Sequence, residues 1–237
     1  MNKYIQKLDE EMDLRGFSEN TKYSYPQSMR LLLKFHKTKY PERIDLDQIK
    51  DFLLNVKKYN GDNLSVNTMN RHVTAIRFFY KVVLNRSGYG EHLPRKKSVR
   101  RLPVYFSQQE IQKMIENLKN IKFKAIFMTL YSTGMRLGEL RSLKFSDIDS
   151  KRMVIRIQQG KGGKDREALL SDHLLKVLRQ YWKENTDDKS LFLFVGSKNT
   201  ANPTDLGKKK LSHTAVDYIV KSAAKAAGIK KKLLLTY

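Results

Sequence analysis

The sequence of 237 residues contains no cysteine. That absence removes disulfides, thiolate nucleophiles and cysteine zinc sites, and it fits a reducing compartment. No apolar run reaches the roughly 18–20 residues that a membrane-spanning helix needs. The opening MNKYIQKLDEEMD also lacks the apolar core of a secretion signal. The expected location is therefore cytoplasmic, with no membrane partner. Histidine is scarce, with five in all, and shows no ligand cluster, so no metal is expected. The phosphate-loop string G-x-x-x-x-G-K-[ST] does not occur, and nothing points to another cofactor.

The shortage with the most meaning is of acidic residues. Asp and Glu number 24 against 47 Lys and Arg, a net charge of +23 with a pI near 10.0. The excess is uneven. Residues 1–92 hold 16 basic against 11 acidic side chains, and the remainder 31 against 13. A lysine-rich solvated surface would account for some surplus. A surplus of this size points to a polyanion, because each neutralised phosphate releases counterions and adds salt-sensitive affinity. Double-stranded DNA is the expected partner. An anionic membrane is the rival, without a basic amphipathic anchor to support it.

Two domains and a basic hinge are expected. The first 90 residues read as helices joined by polar turns. GFSENTKYSYPQSMRLLLKFHKTKY opens at an N-cap, Ser18, and carries Tyr23, Met29, Leu32, Leu33 and Phe35 at helical spacing. Pro26 is expected to kink or split that helix. LDQIKDFLLNVKKY forms the next, and a third starts at Ser65 with Val73, Ile76, Phe79, Tyr80 and Val83 buried. Its other side carries Arg71, Arg77 and Lys81, either a solvated face or a DNA contact. Between Gly88 and Pro103 the periodicity fails, and five of the seven residues from Arg95 to Arg101 are basic (Arg95, Lys96, Lys97, Arg100, Arg101). This reads as a linker that crosses phosphates. Structure resumes at the capping-box pattern Ser107–Glu110. An apolar helix follows in FKAIFMTLYSTG, then RLGELRSLKFSDID, then two strands, RMVIRIQQ and REALLS, around GKGGKD. LLKVLRQYWKEN is a helix, LFLFV a buried strand and LSHTAVDYIVKSAAKAAGI a long amphipathic helix.

Chemistry is concentrated in two stretches. YSTGMRLGEL sets Arg136 at the end of an apolar helix with Glu139 three residues on, a helical-neighbour distance. The pair can be a plain internal ion pair. It can also be a guanidinium held rigid so that its fork grips a phosphate. GKGGKDR adds Lys161, with Lys164 and Arg166 nearby, on a turn that by default only solubilises.

In order and at this spacing, STGMRLGEL, FSDID and IRIQQGKGGKDREALLS resemble the catalytic domain of the tyrosine recombinases, the phage-integrase family. The likeness continues to KSAAKAAGIKKK, and GFSENTKYSY with VNTMNRHVTAIRFFYKVVL resembles that family's helical core-binding domain. The resemblance implies a mainly α fold with a small antiparallel sheet (α+β). Residues 1–90 would be the SAM-like core-binding domain, 91–103 the linker and 104–237 the catalytic domain, the two domains clamping duplex DNA. The bacterial integrases of mobile elements and the chromosome-dimer-resolving enzymes look nearest. Arg136 would bind the scissile phosphate, Glu139 support it, and Lys161 protonate the leaving 5′-oxygen. Site-specific recombination, the DNA integration and strand exchange of the family, would run through a 3′-phosphotyrosyl intermediate without metal.

The family also needs a second arginine in an H-x-x-R box, a further His or Trp, and a tyrosine nucleophile, and none is assigned here. The only H-x-x-R string, His92 to Arg95, lies in the linker and contains a proline, and His213 has no arginine three residues on. Tyr237 sits where that box should begin, so no nucleophile is assigned. The ending AAGIKKKLLLTY therefore reads as a cut. Lys230–Lys232 can be encoded by a slippery adenine run, and one coding of the tail, re-read a base earlier, spells His-Ile-Leu and then admits Arg. The expectation is a C-terminally truncated recombinase, catalytically dead as this chain and monomeric off DNA, with full-length protomers as partners on DNA. The alternatives are a DNA-binding remnant that occupies sites without cutting, and an unstable pseudogene product. An unrelated helical transcription regulator would leave the Arg136–Lys161 pattern unexplained.

Overall fold

Ile5, Leu8 and Met12 recur at helical spacing, and in the computed structural model they form the buried stripe of α1 (Asn2–Leu14). The structure describes residues 2–58, 60–97, 105–158, 165–185, 191–196 and 210–231. The chain divides into two units after Arg101, each with its own apolar core.

In the first unit, Gly16 adopts a left-handed φ of 63° to reverse the chain after α1. Ser18 then precedes α2 (Glu19–Phe35), which buries Met29, Leu32 and Leu33 and leaves Tyr23 exposed. Pro26 does not split this helix: it lies buried inside a continuous element. Asp45 and Gln48 form a reciprocal capping box at the start of α3 (Leu46–Asn55). Ser65 caps α4 (Val66–Phe78), accepting from the Thr68 N–H at 3.2 Å. The helix then widens into one π turn, Phe79–Val83, that buries Phe79, Tyr80 and Val83 together. The Tyr80 hydroxyl finds the Pro41 carbonyl at 2.8 Å, as a buried phenol must. A short α5 (Gly88–Glu91) follows.

The second unit is built around α7 (Ile121–Thr133), apolar enough to be covered on several sides. It packs against α6 (Gln108–Asn117), α8 (Leu137–Ser142), α9 (Asp172–Glu184) and α10 (His213–Ala226), and against the sheet. The Ser107–Glu110 capping box opens α6 as its sequence pattern predicts. Strands β1 (Ile148–Asp149), β2 (Val154–Ile157) and β3 (Arg166–Leu169) pair antiparallel in that order. The register sets Ile155 opposite Ala168 and Ile157 opposite Arg166, so Arg166 stands across from the end of β2. The GKGGKD stretch, with Lys161 and Lys164, lies outside the described residues apart from Asp165. The run LFLFV is not a full strand. Phe192, Leu193 and Phe194 are buried, but among the described residues the segment pairs only at single residues, Phe192 with Lys144 and Val195 with Lys210.

Candidate functional site

The site begins with a helix end. Gly134 closes α7 in the left-handed conformation at φ 59°, and the Met135 N–H is held by Thr133 Oγ1 at 3.2 Å. The chain then turns at once into α8, with Arg136 at its N-cap. The Arg136 backbone N–H donates to Glu139 Oε2 at 2.7 Å, and its guanidinium NH1 donates to Oε1 at 3.1 Å. A helix start therefore fixes both ends of the arginine relative to one carboxylate.

A second arginine shares that carboxylate. Arg166, at the start of β3, donates NH1 to Glu139 Oε1 at 2.8 Å and NH2 to Oε2 at 2.7 Å. The fork-to-fork geometry is the strongest form of this pair. The Glu139 side chain is only 6% exposed, while those of Arg136 and Arg166 are 52% and 36% exposed. The negative charge is thus buried and the two positive charges face outward. Arg166 is the main cause that holds the Glu139 carboxyl down to about 2, with the Arg136 backbone and side chain adding to it against the opposing effect of burial. Glu139 in turn raises the Arg166 guanidinium above its ordinary value. Among the described residues, the bonds of Arg136 to Glu139 run through its backbone N–H and NH1.

Beside this triad, a cavity of about 450 Å³ is lined by Glu139, Ser142, Lys144, Arg156, Gln158 and Lys210, among others. Its floor is fixed by buried Asp147, which accepts from Gln158 Nε2 at 3.0 Å and the Lys144 N–H at 2.8 Å. Arg141, on α8, donates to the Leu211 carbonyl and to His213 Nε2, so it ties α8 to the start of α10. Burial, then Arg141, lowers the His213 imidazole below its ordinary value. Among the described residues no three His, Asp or Glu side chains converge as metal ligands, and no helix is long and apolar enough to cross a membrane.

The basic residues singled out in the first unit do not behave alike. Arg71 is exposed on α4 and, with Arg30, Lys34 and Tyr23 of α2, lines a groove of about 360 Å³ whose wall includes His72. Lys81, Arg95, Lys96 and Lys97 are exposed. Arg77 is turned inward, its NH2 on the Leu93 carbonyl and its Nε buried with no partner among the described residues. Arg100 and Arg101 lie outside the described residues, as does Tyr237. Sequence reasoning missed Arg30 and Lys34, whose i, i+4 spacing on the exposed side of α2 was the available signal. It also missed that Arg166 shares Glu139 with Arg136, because that contact depends on the hairpin register.

Comparison with known proteins agrees with this architecture. The model described as "Phage integrase family" matches residues 105–234, and "Phage integrase, N-terminal SAM-like domain" matches residues 4–88. The integrase/recombinase y4qK of Sinorhizobium fredii (strain NBRC 101917 / NGR234) is 37% identical over 188 residues, 79% of this chain and 60% of its own length. Tyrosine recombinase XerA of Pyrococcus furiosus is 32% identical over 222 residues, 92% of this chain and 72% of its own length. A lambda integrase(75-356) dimer bound to a COC' core site matches with a TM-score of 0.67 at 14% identity, over 98% of this chain and 80% of that one. The two matched halves, in this order, define a recombinase fold. The chain belongs to the phage integrase family. It spans 60% of y4qK and 55% of the related y4eF of the same organism.

Proposed function

We propose that this protein acts on duplex DNA as a site-specific recombinase or integrase of the tyrosine recombinase type. The observation that carries the reading is one buried carboxylate, Glu139, holding two outward-facing guanidiniums. A phosphodiester under attack gathers negative charge on its non-bridging oxygens, and cations fixed in advance lower that barrier without reorganising. In the family scheme a tyrosine hydroxyl, for which residues 1–237 hold no assigned candidate, would attack phosphorus and displace the 5′-oxygen. Here Arg136 would grip the scissile phosphate, Glu139 would orient Arg136, and Lys161 would give a proton to the departing 5′-oxygen. Residues 1–90 serve as the core-binding domain, 91–103 as a linker along the phosphates and 104–237 as the catalytic-type domain. Arg71, Lys81, Arg95, Lys96, Lys97, Arg100, Arg101 and Lys164 add phosphate contacts.

Residues 1–237 contain no H-x-x-R string after Arg136, so this polypeptide by itself is proposed to occupy DNA without cutting it. It does so as a monomer off DNA, in the cytoplasm, and beside full-length protomers on DNA. The naming of XerA as a tyrosine recombinase and of solved neighbours as DNA-bound integrase and XerH recombinase supports DNA as the partner. The test is an anisotropy titration with a labelled duplex, paired with denaturing gels of the same mixtures. Salt-sensitive binding with no covalent protein–DNA band is the expected result. Salt-independent or absent binding would overturn the reading, and a covalent band would overturn its non-cutting part. A broad or absent melting transition would favour the unstable-product alternative.

A further inference from the structure

Residues 93–97 run back along α4, fixed by four separate interactions. Leu93 is fully buried in the core of the first unit. Arg77 donates NH2 to the Leu93 carbonyl, and its stem lies so near α5 that a Cβ added at Gly90 would stand 3.4 Å from the Arg77 Cγ. The Asn70 amide is matched to the backbone of Lys96: Nδ2 donates to the Lys96 carbonyl at 2.9 Å, and Oδ1 accepts from the Lys96 N–H at 2.9 Å. That is the pairing a neighbouring strand would offer, supplied by one side chain. Arg95 donates NH2 to Thr74 Oγ1 at 2.8 Å, and the Thr74 hydroxyl donates in turn to the Asn70 carbonyl at 2.8 Å.

Asn70, Thr74 and Arg77 fall at i, i+4 and i+7, one stripe of α4. The stripe is polar where a core-facing stripe would be apolar, and every member is committed to the segment that follows α5. A buried Nε left without a partner is unfavourable, so Arg77 is poorly explained as core filler and well explained as a strut. Meanwhile Arg95, Lys96 and Lys97 all remain exposed.

We propose that Asn70 and Arg77 are positioning residues that clasp residues 93–97 onto α4, so that Arg95, Lys96 and Lys97 form a pre-ordered cationic ridge for a DNA backbone. This rests on the DNA-binding reading above. A free basic strand would lose backbone freedom on meeting phosphate, whereas the clasped one has already lost it on folding.

The full chain and its Asn70→Ala and Asn70→Asp variants are compared in two assays. Limited trypsin digestion with mass spectrometry reads cleavage after Arg95, Lys96 and Lys97, which requires local release from α4. Titration of a labelled 30-base-pair duplex over a salt series reads affinity and its salt slope. Both variants are expected to melt within about 2 °C of the parent and to be cut about tenfold faster at these sites. Their Kd should rise about five- to tenfold, with the slope of log Kd on log salt unchanged because the same phosphates are neutralised. Lys97→Ala, a direct contact, should instead lower the slope by about one. Unchanged cleavage would refute the clasp. Faster cleavage with unchanged Kd would refute its role in DNA binding. If the parent chain binds no duplex, the DNA reading itself fails, and the ridge proposal falls with it.

Discussion

Glu139 is the residue on which most of the site depends, and its titration gives a direct test. Its carboxyl is held near 2, chiefly by Arg166, against an ordinary value of 4.5. As pH falls, the unfolded chain takes up the proton first, so this group's contribution is complete above about pH 5 and is lost as pH drops towards 2. The contribution at neutral pH is about 2–3 kcal/mol, discounted from the full linkage value because both arginines are partly solvated. Glu139→Gln should therefore lower denaturant stability by about 2 kcal/mol at pH 7, and the gap from the parent should close towards pH 2. A gap that stays constant with pH would show that packing, not charge, is what the carboxylate supplies. His72 works through a different range. Burial, then Arg71, lowers its imidazole to about 4, and its Nδ1 is bonded to Ser28 Oγ at 2.9 Å. Between pH 6.5 and 4 the unfolded chain binds the proton that the folded one refuses, so stability declines as pH falls through that window. His72→Gln should flatten that decline in melts taken across it, whatever it does to stability at pH 8.

At the scale of the element, the end of α7 is the hinge of the site's construction. Gly134 has a left-handed φ of 59° and open space where a side chain would begin. Gly134→Ala should thus cost about 1 kcal/mol from backbone strain alone, read as a fall of about 3 °C in Tm. Elements like this one were legible from sequence because their signals are local. The Ser107–Glu110 box, Ser65, the glycine after α7 and the β2–β3 pairing each depend on a few neighbouring residues. Pro26 misled because its cost is local while the burial that keeps α2 whole comes from the rest of the unit. LFLFV misled because an apolar run records burial, and only neighbouring backbone decides whether it becomes a strand. The π turn at Phe79–Val83 and the two-residue β1 left no periodic trace. Of the site, Arg136 and Glu139 could be read three residues apart. The arrival of Arg166 could not, being set by a hairpin register 27 residues away.

For the whole molecule the governing quantity is charge. Basic side chains outnumber acidic ones by 23, and exposed Arg71, Lys81 and residues 95–97 are among the cations that make up that surplus. If six or more phosphates are neutralised, duplex affinity should fall by about 10³-fold between 50 and 200 mM salt. A fall of only a few-fold would mean that the surplus is a solvated surface. Charge also sets what the Arg136–Glu139–Arg166 group can accept. Two guanidiniums against one buried carboxylate leave a local balance of one positive charge among the described residues. A phosphodiester within a strand carries one negative charge and would bring that balance to zero. A terminal phosphomonoester, closer to two at neutral pH, would overshoot it. If Arg136 grips a phosphate as proposed, the buried carboxylate acts as a counterweight that holds the Arg136–Glu139–Arg166 group at the single charge a phosphodiester within a strand would balance.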